Sequence, residues 1–225
     1  MRVPDYANPV YREAVAEQQR LREKLVVRPL PPSPAPVGGA DVSYHLHGRT
    51  FWGGFVVCEP GEPFRVLDSA VVSMEVDFPY IPGLLGFRET PVLAAAFKKL
   101  AVKPMVTLVD AHGLAHPRAF GSACHVGVVL DIPTVGCAKS LLCGGFGELG
   151  AARGSRSPIL LEGKAVGFAL RTREDVQPVY VSVGHKSDLE SAVSLVLACS
   201  PRYRIPESIR LAHALVNEAR RRGLG

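Results

Sequence analysis

Three acidic residues stand where the local sequence gives little reason for an acid. Asp41 follows the Gly38-Gly39-Ala40 approach and opens a strand-like run. Asp110 closes the apolar run Val106-Thr107-Leu108-Val109, and Glu89 starts a predicted helix after the loop 79–88. Carboxylates that converge in one cleft repel each other unless a cation neutralises them. Mg²⁺, with Mn²⁺ as a substitute, is the natural partner, because hard divalent ions take oxygen ligands and keep several waters. Taken singly, each acid has a structural explanation as a turn residue, a cap or a charge favoured by a helix dipole. The segments around them are what point to chemistry.

Residues 110–118 place His112, Gly113, His116 and Arg118 directly after a buried strand, a position where loops carry function disproportionately. Gly113 and Pro117 argue against one helix face presenting both histidines to zinc. Pro79-Tyr80-Ile81-Pro82-Gly83 is a stiff extended loop. A rigid apolar wedge with an aromatic tip can enter a base stack and unstack it; the plain alternative is a loop that plugs the core. Lys139 beside a carboxylate cluster offsets charge or holds a phosphate, or else is a solvated surface lysine. His213 shares a helix face with Ile209 and Val216, which suits a core histidine or one that reaches an acid partner.

The elements that must position these residues read as a mixed α/β sheet. A helix is expected over 11–25, followed by a proline-rich connector at 29–40. Strands are expected over 41–44, 49–57 and 64–76, antiparallel because their connections are short, with a turn at Glu59-Pro60-Gly61-Glu62-Pro63. A helix over 89–100 precedes a strand over 105–110 that should be buried on both faces. Further strands are expected over 125–130 and 179–183. Ser187-x-x-Glu190 reads as a capping box before a helix through Ala198, and Pro206 begins a last helix running to about Arg221. One domain over 1–225 is expected, with an N-terminal helix in 1–28, the connector at 29–40 and the core over 41–225.

The 225 residues are 47% hydrophobic and 21% charged, enough apolar content for one substantial core. A net charge of +5 suits a polyanionic partner, since each phosphate contact releases counterions. The five cysteines include no CxxC pair and read as reduced thiols. Residues 1–8 lack an apolar leader and no run is long enough to span a bilayer, so a soluble cytoplasmic protein without membrane partners is expected.

Together these motifs resemble the endonuclease V family. The resemblance rests on Ala40-Asp41-Val42-Ser43-Tyr44, on the run from Pro79 through Gly86-Phe87-Arg88-Glu89, and on His116-Pro117-Arg118. It also rests on Pro133-Thr134-Val135-Gly136-Cys137-Ala138-Lys139-Ser140, Val183-Gly184-His185-Lys186, and Ile205-Pro206-Glu207 with His213 downstream. The resemblance implies a ribonuclease H-like fold and Mg²⁺-dependent cutting of strands containing deoxyinosine, at the second phosphodiester bond 3′ to the lesion. Inosine in RNA is a second candidate substrate, and a monomer is expected. Asp41, Asp110 and Glu89 would then serve the metal, Lys139 the phosphate or a ligand carboxylate, and His213 the rim of the metal site. Pro79, Tyr80, Ile81 and Pro82 would form the wedge. Gly83, Leu85, Gly113 and Gly136 would form the base pocket, with His116 and Arg118 touching DNA. Ala111 and Cys137 depart from the glycine and aliphatic residue usual in the family. Rival readings are a junction resolvase or hybrid nuclease of the same fold, which would lack the Pro-Tyr-Ile-Pro wedge. A catalytically dead binding module would lack an acid or the lysine.

Overall fold

The computed structural model describes residues 8–45, 48–61 and 64–224. Residues 1–7, where an absent leader was read, lie outside the described residues, as do Glu62 and Pro63 of the expected turn.

The helix α1 (Pro9–Glu23) starts where Asn8 accepts a hydrogen bond from the Val10 amide and Pro9 occupies the first turn. The strands β1 (Val37–Tyr44), β2 (Thr50–Glu59) and β3 (Arg65–Glu75) form the expected antiparallel meander. Helix α2 (Gly86–Lys99) crosses to β4 (Val106–Val109), and α3 (Ser122–Leu130) crosses to β5 (Thr134–Ala138). The chain continues through β6 (Arg156–Leu161), β7 (Lys164–Leu170), β8 (Val179–Val183), α4 (Leu189–Ala198) and α5 (Glu207–Arg222). Among the described residues one sheet holds eight strands in the order β3-β2-β1-β4-β5-β8-β7-β6. β1, β4 and β5 are parallel, and the flanking pairs are antiparallel.

The parallel centre is covered on both faces, which is why β4 reads as an unbroken apolar run. On one face Val37, Val106, Leu108, Val135 and Cys137 pack with Val193, Val196 and Ile209 of α4 and α5. On the other, Ala40, Phe55 and Val109 pack with Leu93 and Ala96 of α2 and with Ala123 and Val126 of α3. No helix among the described residues is long and apolar enough to cross a membrane.

Several elements differ from their sequence reading. The segment 125–130, expected as a strand, lies inside α3. Its residues Ser122 to Gly127 are all buried, and a short run apolar on every side has no period by which to choose. β1 begins at Val37, so Asp41 lies mid-strand and the connector ends at 36. α2 begins three residues before Glu89. The cap of α4 is Asp188, whose carboxylate accepts from the Ser191 amide. Ser187 is engaged elsewhere, its hydroxyl donating to the Thr134 carbonyl at 2.7 Å.

Candidate active site

Register brings the first two acids together. Ala40 pairs with Val109 across the parallel β1–β4 ladder, so Asp41 and Asp110 emerge level on neighbouring strands. β4 stops there, which puts Asp110 at the carboxyl end of a parallel strand, where open α/β sheets bind ligands. Asp41 shares its parity with Val37 and Gly39, the side that faces α5. A side chain at Gly39 would run into the Ser208 carbonyl, so α5 starts directly on the β1 backbone. That contact brings His213 to Asp41, with Nδ1 2.7 Å from Oδ2. Asn217 sets the ring's tautomer. Its amide oxygen accepts from Ser43 Oγ at 2.9 Å, so its nitrogen faces His213 Nε2 at 3.1 Å. Nε2 therefore accepts, and Nδ1–H donates to Asp41. In this arrangement His213 orients a carboxylate.

Glu89 approaches from α2, on the opposite face of the sheet, and its carboxylate accepts from Ser122 Oγ at 2.6 Å. Lys139, just past β5, donates through Nζ to Asp110 Oδ2. Burial lifts the Asp41 carboxyl above its usual range and the Asp110 charge adds to this, while the His213 and Val42 hydrogen bonds oppose it. Glu89 is pushed up to about 8, chiefly by burial, with Asp41 and Asp110 contributing against the Ser122 hydrogen bond. Lys139 offsets one charge of the Asp41–Asp110 pair, and a second negative charge remains. Ligand atoms of Asp41, Asp110 and His213 lie within 4.8 Å of one another, and the carboxylate donors suit a hard divalent cation. Glu89, expected among the ligands, stands outside that group because it comes from the other face.

A cleft of about 290 Å³ opens beside Asp110 and Lys139, with Tyr80, Ile81, Gly83 and Leu85 lining its other side. Tyr80 is 61% exposed at the tip of its loop, and the Arg88 guanidinium lies 5.8 Å from the centre of its ring. Arg88 also packs over Phe51 at 4.7 Å and so ties the loop to β2. Gly83 has φ +79°, a left-handed conformation that glycine adopts without strain, and a side chain there would crowd Arg118.

Four of the expected site residues are held by contacts within the fold. His116 is 3% exposed, and its Nδ1 accepts from the Arg118 amide at 3.1 Å. Burial and the Arg118 charge push its pKa down to about 4, so it is a neutral ring and brings no charge to a phosphate. Arg118 donates from Nε to Gln18 Oε1 at 2.6 Å and from a terminal nitrogen to the Gly83 carbonyl at 2.6 Å. Arg118 thereby braces the 79–83 loop from inside, and His116 in turn holds the Arg118 backbone. Gly113 and Gly136 lie behind the cleft wall, backbone against backbone. A side chain at Gly136 would come within 2.6 Å of the Gly113 nitrogen, and the Gly113 N–H already donates to Ser182 Oγ at 2.8 Å. His112 lines the cleft with Nε2 2.9 Å from the Ser140 carbonyl oxygen.

Gln18, Ser122 and Asn217 carry contacts that no motif announced, and Arg88, inside a quoted motif, was given no role. For Gln18 a signal existed: a polar residue at helical spacing between the apolar Ala14 and Leu21.

The sequence profile described as Endonuclease V matches residues 19–214. Endonuclease V of Myxococcus xanthus is 51% identical over 210 residues, covering 93% of this chain and 89% of that protein. The crystal structure of endonuclease V from Streptomyces avermitilis matches with a TM-score of 0.91 and 40% identity, covering 99% of this chain and 98% of that one. Ciona intestinalis endonuclease V, in complex with a 23mer DNA containing an inosine followed by a ribo-adenosine, matches with a TM-score of 0.83 and 25% identity, over 98% and 99% of the two chains. The mixed sheet with helices on both faces is the ribonuclease H-like fold expected from the sequence.

Proposed function

The chain belongs to the endonuclease V family, and we propose that it cuts DNA at the second phosphodiester bond 3′ to deoxyinosine, leaving 3′-hydroxyl and 5′-phosphate ends. One observation carries the reading: the wedge residues Tyr80 and Ile81 and the acid-centre residues Asp110 and Lys139 line one cleft. Strand separation and phosphate chemistry can therefore act on neighbouring nucleotides. The inosine-containing DNA bound by the Ciona relative supports the same substrate, and the ribo-adenosine in that strand favours RNA containing inosine as a second one.

In this reading Asp41 and Asp110 hold Mg²⁺, with Mn²⁺ able to substitute, and Glu89 serves the site from the α2 side. A bound divalent ion supplies an activated water and stabilises charge on the departing 3′ oxygen. The chain's own residues do the rest. His213 holds the Asp41 carboxylate in place. Lys139, 43% exposed and facing the cleft, holds the scissile phosphate. Tyr80 and its flanking prolines displace the neighbouring base, and the extruded hypoxanthine enters between Gly83, Leu85 and the start of α3. A deaminated base pairs weakly, so extruding it costs less than extruding a normal one. The enzyme acts as a monomer in the cytoplasm, which suits its five free thiols.

The test is a labelled oligonucleotide with one inosine, matched against an adenine control, incubated with Mg²⁺. A single nick one nucleotide beyond the lesion is expected. Equal cutting of both strands, or cutting elsewhere, refutes the reading.

A further inference from the structure

We propose that Gln18 of α1 is a positioning residue for lesion recognition: its carboxamide sets the spacing between the wedge and the α3 wall of the base pocket. The inference rests on the inosine-directed reading above.

On α1 the inward residues are Ala14, Gln18 and Leu21, a helical stripe that packing alone would fill with apolar side chains. Leu21 does pack that way, against Phe120 and Cys124 of the α3 region. Gln18 is 3% exposed, and a buried carboxamide is costly unless its hydrogen bonds are made. They are made, and each partner belongs to the cleft. Nε2 donates to the Gly83 carbonyl at 3.0 Å and to the Phe120 carbonyl at 2.8 Å, while Oε1 accepts from Arg118 Nε at 2.6 Å.

These contacts bridge three segments far apart in sequence. Gly83 is the exit of the wedge, and its carbonyl direction follows from its left-handed backbone. Arg118 also donates to that carbonyl, so the wedge is gripped at one oxygen by two donors that are themselves hydrogen-bonded. Phe120 leads into Gly121 and Ser122, which line the cleft and open α3. Ser122 in turn holds Glu89. A single amide nitrogen thus spans the two walls between which the extruded base must fit. Gln18 itself lines the same cleft. Planar carboxamide geometry fixes the angle between its two donated bonds, so the wall spacing is set by covalent structure in place of loop packing.

The experiment compares Gln18→Met, which keeps length and removes all three hydrogen bonds, with Leu21→Ala, which loosens the same helix without touching them. Two quantities are measured: the ratio of kcat/KM on inosine and adenine strands, and hydrogen exchange of the amides of Tyr80, Ile81, Gly83 and Leu84. Displacing groups that position a substrate by about 1 Å costs on the order of 100-fold. Gln18→Met should accordingly lower the discrimination ratio by ~10- to 100-fold and speed exchange at Leu84, whose N–H is bonded to the Ile81 carbonyl at 3.0 Å. Leu21→Ala should leave both quantities near wild type even where its loss of Tm is as large. Should Gln18→Met not fold, Gln18→Glu keeps the Arg118 contact, loses both donors and should show the same two effects. Equal behaviour of the Gln18 and Leu21 variants at matched Tm, or unchanged discrimination, overturns the proposal. If the wild-type protein fails to prefer inosine strands, the substrate reading falls and the exchange rates still decide the role of Gln18.

Discussion

Asp41 and Asp110 lie side by side because neighbouring parallel strands are in register, and two carboxylates held that way are unfavourable until a cation joins them. Asp110→Ala should lower nicking by about 100-fold or more, since even outer partners of metal ligands are worth roughly 10–100-fold. It also frees Lys139 toward the phosphate, so inosine-DNA binding should persist in a gel-shift assay; full activity in that variant sinks the ligand assignment. Glu89 gives a second prediction. Its carboxyl titrates near 8 in the folded protein against 4.5 ordinarily, so between those values the folded state holds a proton that the unfolded chain has lost. Stability then falls as pH rises through that window. His116 and His125, pushed down to about 4 by burial, act in the opposite direction between 6.5 and 4 and leave the upper limb to the acids. In the presence of a chelator, Tm should fall from pH 6.5 to 8, and Glu89→Gln should flatten that limb. A slope unchanged by the substitution assigns it to other groups.

Elements fix what single residues cannot. α5 reaches the acid centre only because Gly39 leaves no side chain between β1 and the Ser208 carbonyl. Gly39→Ala must push the helix outward and draw His213 away from Asp41. Overpacking of this kind costs about 1–3 kcal/mol, and activity should drop further than the lost stability explains. Thermal melts beside nicking rates check this, and a variant with normal Tm and rate removes the contact from the account. The helix α3 shows the complementary case. Val126, Val128 and Val129 have β-forming side chains, yet the segment is helical because it is wedged between α1, α2 and β5 and capped by Asp131 in the left-handed region. The hairpin β6–β7 escaped the sequence reading for a related reason: Pro158 argues against a strand, except at a sheet edge, where β6 in fact lies.

For the molecule as a whole, a cation held by the clustered acids would couple folding to metal. An ion that binds only the folded state stabilises it by about 2.7 kcal/mol at a hundred times its dissociation constant. Saturating Mg²⁺ should therefore raise Tm, and the rise should vanish in Asp110→Ala. A rise that survives that substitution would place the ion elsewhere. Ca²⁺ as a second arm separates binding from catalysis, because it can occupy oxygen ligands at a different geometry.

Much of this protein was legible in its chain. The acids Asp41, Glu89 and Asp110, with Lys139 and the Pro-Tyr-Ile-Pro loop, are local patterns, and the meander and β4 follow from periodicity and turn chemistry. Local pattern could not say which acids share a ligand sphere. Glu89 and His213 arrive from opposite faces of the sheet, and only the three-dimensional packing of α2 and α5 decides which stands nearer. Nor could it show what holds Arg118, whose guanidinium donates to Gln18 and to the Gly83 carbonyl. Arg118 lies 100 residues from Gln18 and 35 from Gly83 in the chain. Hydrogen bonds across such separations are set by the whole fold, and no nearby residue types encode them.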